Sequence, residues 1–382
     1  MKGNEYAIFE SMLSSADIKI NGSRPWDIQV NDVAMFDRIL ADGSLGLGES
    51  YMEKMWECKD IAELINRILA FELDKHLDLR TKMILGAKIG KDKIKKFFNP
   101  QGTTISKHNV AFHYDIGNDL YRAMLDKRMT YTCGYWKNAD NLDNAQEAKL
   151  DLICRKLGLK PGMRVLDIGC GWGSLMIYAA EKYGVVCDGL TLSEEQAKLG
   201  TQMVEEKQLP VNFILRDYRL YEPETKYDRV VSVGMLEHVG SSNYRDFFTC
   251  ADKFLNQDGV FLLHSIGTFE STETNDPWIH KYIFPNGEIP SLAQLATAME
   301  PEFNMEDLHN IGEDYDHTLC AWYRNFDKAW QQGDLNYNEK FYRMWKYYLL
   351  SCAGAFRCRE LSVWQMVLTK VGTPKPASAR SK

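Results

Sequence analysis

No stretch of this chain approaches the roughly 18 consecutive apolar residues of a membrane-spanning helix, so any contact with lipid is expected from the water side. Nor is there a surplus of basic residues. Lys and Arg number 46 against 53 Asp and Glu, a net charge of -7 that excludes a general nucleic-acid binder with a positive footprint. The opening residues, Met1 to Tyr6, lack the charged-then-apolar pattern of a secretory signal. The nine cysteines form no Cys-x-x-Cys pair and gather no His-rich cluster, which argues against structural zinc and against a disulfide framework. An odd number of isolated thiols fits a reducing cytosol. What remains is ordinary for a soluble globular protein, with 45% hydrophobic and 26% charged residues. A length of 382 residues makes two domains the natural expectation.

Residues 1–85 read as a small N-terminal unit, with a Gly-rich turn at 42–48 and a helical pattern at Ile61, Leu64, Ile65, Ile68 and Leu69. Residues 86–107 read as a linker carrying Lys88, Lys91, Lys93, Lys95 and Lys96. It is either a solvated connector or a patch that leans on anionic head groups. From 108 to 382, strands and helices alternate, the mark of an α/β fold with a mostly parallel sheet. Strands are predicted at 164–168, 185–192, 211–215, 227–233, 259–264 and 361–368, with aromatic-rich helices near 317–331 and 338–353. An aromatic insertion at 268–300, with Trp278, Tyr282, Ile283 and Phe284, either walls a slot for a hydrocarbon chain or covers the sheet.

The most informative segment runs from Met163 to Ser174. A short apolar run ends in Asp167, then glycine recurs at Gly169, Gly171 and Gly173 before helix-forming residues. This predicts a strand, a tight turn and a helix N-terminus, with backbone open to close approach by a ligand. Ser174 stands where a Gly-x-Gly-x-x-Gly phosphate cradle has its last glycine, so the spacing suits a nucleoside with an amino-acid tail. That description points to S-adenosylmethionine, although Gly-rich loops also occur in other α/β proteins. Ligands of open parallel sheets bind beyond the carboxyl ends of the strands. Glu237, His238 and His264 fall at that edge together with the glycines. Ser193 is the expected N-cap of the helix to Lys207, with Gln196 in the capping-box position. Thr191 and Gln196 stand where an acid usually meets ribose hydroxyls, with Asp188 a weaker candidate, and Asp217-Tyr218 where an adenine would lie.

With these residues in view, the chain resembles the cyclopropane-fatty-acyl-phospholipid synthases, kin of the mycolic acid cyclopropane synthases. The resemblance covers nearly the whole chain. It rests on His113–Asn118, Tyr131-Thr132-Cys133, Leu166–Gly173, Val233–Gly240, Leu263–Gly267 and Cys352-Ala353-Gly354. It implies a class I S-adenosylmethionine-dependent methyltransferase domain preceded by a small lipid-docking domain. It also implies a peripheral, cytoplasmic enzyme, commonly a homodimer, working at the inner membrane surface. The implied reaction adds a methylene across a cis double bond of an unsaturated phospholipid acyl chain, with bound bicarbonate as the base. The matching anion site comprises the backbone around Cys133 and Ile266 with the side chains of Glu237, His264 and Tyr315. Tyr131 and Thr132 would touch the carboxylate end of the cofactor. Cys352 matches a cysteine proposed as catalytic in the family, but its apolar helical neighbours favour packing. Two other readings stay open: an amine methyltransferase like those of plant alkaloid pathways, and a cofactor-binding protein that has lost activity.

Overall fold

Strand residues alternate between two faces, and here both faces are apolar. In β1 (Arg164–Ile168), Leu166 and Ile168 enter one buried cluster and Val165 enters another. The computed structural model describes residues 4–71, 117–271 and 276–380. The sheet continues through β2 (Val186–Thr191), β3 (Val211–Leu215), β4 (Tyr227–Val233), β5 (Leu255–Thr268), β6 (Phe303–Asn310) and β7 (Leu361–Lys370). The sheet order is β3-β2-β1-β4-β5-β7-β6. β3, β2, β1, β4 and β5 run parallel, and β6 pairs antiparallel with β7.

One face of the sheet packs Leu166, Leu190, Val230 and Phe261 against Phe247 and Phe248 of the helix Tyr244–Phe254. The other packs Val165, Val231 and Leu262 against Leu150, Ile153 and Leu157 of the helix Leu142–Leu157. The predicted strands are all present. Within this sheet, the edge strand Phe303–Asn310 is the one that the sequence did not announce, because its Asn, Glu, Asp and His residues break any apolar alternation. An edge strand needs only one partner, and charge there discourages pairing with other chains.

The chain divides into two compact units, and the division is discontinuous in sequence. The first comprises Met1–Asn99, Thr274–Pro285 and Leu319–Leu361; the second comprises Pro100–Glu273, Asn286–Thr318 and Ser362–Lys382. The first unit therefore holds more than the contiguous N-terminal 85 residues expected from the sequence. Its organising element is the helix Glu339–Arg357. There Gly354 allows a close crossing: a Cβ would lie 2.5 Å from the Ala62 carbonyl oxygen of the helix Ile61–Ala70. Arg343 donates to the carbonyls of Tyr51 (2.7 Å) and Trp56 (3.3 Å) and stacks over the Tyr51 ring.

The aromatic insertion divides as well. The helix Pro277–Tyr282 belongs to the first unit, where Trp278 meets Tyr347 at 4.7 Å between ring centroids and Phe284 meets Tyr348 at 5.9 Å. These rings pack on the helix Glu339–Arg357, so they are committed to a helical core. The Lys-rich 86–107 segment and the His113–Ile116 part of the family motif lie outside the described residues. Among the described residues, no helix is long and apolar enough to cross a membrane.

Candidate active site

The glycine loop after β1 is built as the sequence predicted. Gly169, Gly171 and Gly173 all take positive φ, at +85°, +56° and +82°. The amides of Gly169 and Cys170 both donate to the Leu190 carbonyl, at 2.9 and 3.0 Å, which ties the turn to β2. The three glycines do different work. A Cβ on Gly169 would lie 2.4 Å from Met235 Cγ, and one on Gly173 would lie 2.4 Å from Phe213 Cζ. A Cβ on Gly171 meets nothing within 4 Å. Gly171 instead lines an open cleft of about 750 Å³ with Ile168, Thr191, Gln196, Asp217, Tyr218 and Met235. The space that a side chain at Gly171 would fill is the space the loop reserves.

The far wall of the cleft is fixed by local hydrogen bonds. Ser193 caps the helix Glu194–Lys207 by accepting from the Gln196 amide at 3.2 Å. The Gln196 side chain does not close a capping box; its Oε1 accepts from Thr191 Oγ1 at 3.3 Å. Asp217 is held by Arg219, whose Nε and Nη2 reach its two oxygens at 2.9 and 2.7 Å. Tyr218 lies beside it, its hydroxyl buried with no partner among the described residues. Asp188 is engaged elsewhere, accepting from the Tyr227 hydroxyl at 2.8 Å. A nucleoside fits this wall, which offers Thr, Gln and Asp oxygens beside an aromatic ring.

Beneath the loop lies a group that sequence reading missed. Lys149, on the helix Leu142–Leu157, is 1% exposed and donates from Nζ to Thr132 Oγ1 at 2.8 Å. Burial drives its pKa down to about 8, against the opposing pull of Asp126, Cys133 and Asp167. Asp167 is pushed up to about 7 by burial, which Lys149 partly offsets, and its Oδ1 has no hydrogen-bond partner among the described residues. Thr132 is fixed further by Gln146 Nε2, which donates to its carbonyl at 2.7 Å. Tyr131 packs edge-on against Tyr121, which in turn meets Trp172 of the glycine loop. The signal in the sequence was a polar pair, Gln146 and Lys149, on the apolar stripe of Ala145, Ile153 and Cys154.

Just beyond β4, and at the position of β5 level with the end of β4, stands the proton-handling pair. β5 itself runs on past the strand end at 264 expected from the sequence, to Thr268. Glu237 follows the cleft-lining residues Gly234 and Met235. Its Oε1 accepts from the Ile266 amide at 2.6 Å and from Ser265 Oγ at 3.2 Å. Its Oε2 is buried with no partner among the described residues. Burial raises the Glu237 pKa above the usual carboxylate range, against the two hydrogen bonds. His264 is 2% exposed, and burial, reinforced by Lys149 and Lys156, holds its pKa well below the ordinary value. Its ring is neutral. Its Nδ1 lies 3.3 Å from Gln365 Nε2. Burial also lowers His238, to about 4.

Cys133 is fully buried, its thiol near the carbonyls of Gly134 (3.2 Å) and Ile311 (3.8 Å), and burial pushes its pKa well above the usual range. The next amide, Gly134, donates to Thr318 Oγ1 at 3.0 Å on the helix Glu313–Gln332. Tyr315, one turn earlier on that helix, is also buried. Cys352 belongs to the first unit, and burial drives its thiol up to about 12. Neither cysteine is a thiolate at neutral pH.

A family model described as mycolic acid cyclopropane synthetase matches residues 101–366. The cyclopropane-fatty-acyl-phospholipid synthase of Escherichia coli (strain K12) is 49% identical over 370 residues, covering 96% of this chain and 94% of that protein. The crystal structure of mycolic acid cyclopropane synthase CmaA1 complexed with SAH and CTAB aligns with a TM-score of 0.64 at 35% identity. That alignment covers 69% of this chain and 98% of the other. Coclaurine N-methyltransferase bound to N-methylheliamine and SAH gives 0.65 over 85% of this chain and 99% of that one, at 22% identity, a likeness of fold alone. The chain thus belongs to the mycolic acid cyclopropane synthetase family and is an S-adenosylmethionine-dependent methyltransferase of the class I α/β fold.

Proposed function

We propose that this enzyme transfers a methylene group from S-adenosylmethionine to the cis double bond of unsaturated phospholipid acyl chains. The observation that carries the reading is the Glu237 carboxyl, buried between the cleft-lining residues Met235 and His238 with one oxygen unpartnered among the described residues. The 49% identity to the Escherichia coli synthase supports the lipid as substrate.

Bound S-adenosylmethionine supplies an electrophilic methyl carbon on a sulfonium. Gly171 would leave room for it, Asp167 would offer it an unpartnered buried oxygen, and Thr132, fixed by Lys149, would hold its tail end. Attack by the alkene leaves positive charge on the acyl chain. Ring closure then requires a base for one proton of the added methyl group. A carboxylate of the protein beside that cation risks alkylation, so a small held anion serves better. Bicarbonate suits the groups present. Glu237, with its raised pKa, has an oxygen able to carry a proton toward an anion, while the neutral His264 ring, the Tyr315 hydroxyl and the Cys133 backbone complete the set. The Ile266 amide is already given to Glu237, so it orients the carboxyl. Fixed donors around an anion, where positive charge develops, amount to electrostatic preorganisation.

The same reading makes the first unit the docking body for a bilayer, and the enzyme a homodimer at the cytoplasmic face of the inner membrane. The test is incubation with labelled S-adenosylmethionine and either unsaturated phospholipid vesicles or small amines. Label in the lipid, slowed by removing bicarbonate and restored by adding it back, is expected. Label in the amines alone contradicts the proposal.

A further inference from the structure

His264 lies within β5, which runs on to Thr268, at the last position in register with β4, opposite Val233. Gln365 lies on β7, in register with His309 of β6. The neighbouring strands β5 and β7 bring the two side chains together inside the sheet, and the 3.3 Å between Gln365 Nε2 and His264 Nδ1 joins them. Both are sealed from water, at 0% and 2% exposure. The immediate neighbours of Gln365 on the strand, Val363, Trp364, Met366 and Val367, are buried apolar residues, and an apolar residue in its place would pack without burying an amide. Its Oε1 has no partner among the described residues, so the glutamine carries an uncompensated acceptor. A polar side chain kept at that cost has its use at the other end of the amide.

We infer that Gln365 is a positioning residue that fixes His264 in the tautomer with its proton on Nε2. The inference rests on the proposed methylene transfer. An amide nitrogen has only hydrogens to offer, so the ring nitrogen facing it must be the one with the lone pair. The charged groups that act on the ring are Lys149 and Lys156, both on the helix Leu142–Leu157, and both oppose an imidazolium. With Nδ1 occupied and Nε2 protonated, His264 has no lone pair left to remove a proton. It enters the reaction as a hydrogen-bond donor that holds the base, and the proton of the added methyl group goes to the held anion.

The test combines 15N-histidine NMR with kinetics on the full chain and on Gln365→Glu and Gln365→Leu, the His264 signals being assigned by their loss in His264→Gln. In the parent, Nδ1 of His264 is expected in the unprotonated range and Nε2 in the protonated range across pH 6 to 8. Glutamate, an acceptor of the same shape, is expected to move the proton to Nδ1 and to lower kcat about 100-fold, the scale of one misplaced catalytic proton. Leucine is expected to leave the tautomers mixed, with an intermediate kcat. The KM for S-adenosylmethionine and its calorimetric affinity should be unchanged in both, which a merely structural role would not predict. A parent ring protonated on Nδ1, or Gln365→Glu turning over like the parent with its tautomer switched, overturns the inference. Should the parent yield no lipid product, the methylene-transfer reading fails while the NMR result still judges the tautomer.

Discussion

The ammonium of Lys149, itself 1% exposed, donates to the hydroxyl of the half-buried Thr132 at 2.8 Å. A buried ammonium needs partners, and the acids that act on it are Asp126 and Asp167. The helix Leu142–Leu157, the end of β1 and the Tyr131–Cys133 segment are therefore held around one charge. Those last two carry residues assigned here to the tail of the cofactor.

Removing that charge should be felt in cofactor binding. Lys149→Met frees Thr132 and leaves Asp167 without its nearby cation. The affinity for S-adenosylmethionine, measured by calorimetry, is expected to fall at least about 10-fold, the worth of one hydrogen bond to a charged group. Equal affinity in the variant would show that the lysine only packs.

Asp167 also gives the apo-protein a pH signature. Its folded pKa of about 7 stands above the unfolded value of about 3.9. Between those values the folded state binds more protons, so this group's contribution to stability falls as pH rises through that window. Asp167→Asn removes the titration. The Tm of the variant relative to the parent should therefore be higher at pH 8 than at pH 5. A constant difference would contradict the raised pKa.

The glycine loop offers a paired comparison. Gly169→Ala puts a methyl into Met235 at positive φ, and should cost about 1–3 kcal/mol of stability. Gly171→Val meets no protein atom within 4 Å and projects into the cleft. It carries the strain of its own positive φ but should still fold and lose cofactor binding. Thermal melts with and without S-adenosylmethionine separate the two, since only a variant that binds gains a ligand-induced rise in Tm.

Cys133 and Cys352 should behave as packing groups. Their thiols are raised by burial, so alkylation at pH 7.5 should be slow and Cys352→Ser should keep most of its turnover. Rapid modification of Cys352 accompanied by loss of activity would restore it as a nucleophile.

Glu237→Gln keeps the shape of the side chain and removes the titratable proton. Turnover should fall by about 10² to 10⁴, the usual range for a general acid–base group, with cofactor affinity retained. Turnover unchanged in this variant would remove Glu237 from the mechanism.

The strands, the glycine turn and the Ser193 cap were legible in the sequence because each is a local pattern. Apolar alternation, a positive-φ residue and a side-chain oxygen before a helix all declare themselves within a few residues. Glu237 and His264 were legible because strand ends share one edge of a parallel sheet. Lys149 and Gln365 were not, since each meets its partner only through tertiary packing. The strand Phe303–Asn310 escaped because an edge carries little apolar signal. The discontinuous first unit escaped because the segments 274–285 and 319–361 read as parts of the catalytic domain when taken in chain order.

The most direct measurement is mass spectrometry of a defined monounsaturated phospholipid after incubation with the enzyme and isotopically labelled S-adenosylmethionine. A lipid heavier by one labelled CH₂ is expected, its double bond replaced by a ring that survives mild hydrogenation. A lipid recovered unchanged, or one methylated with its double bond intact, would contradict the methylene transfer.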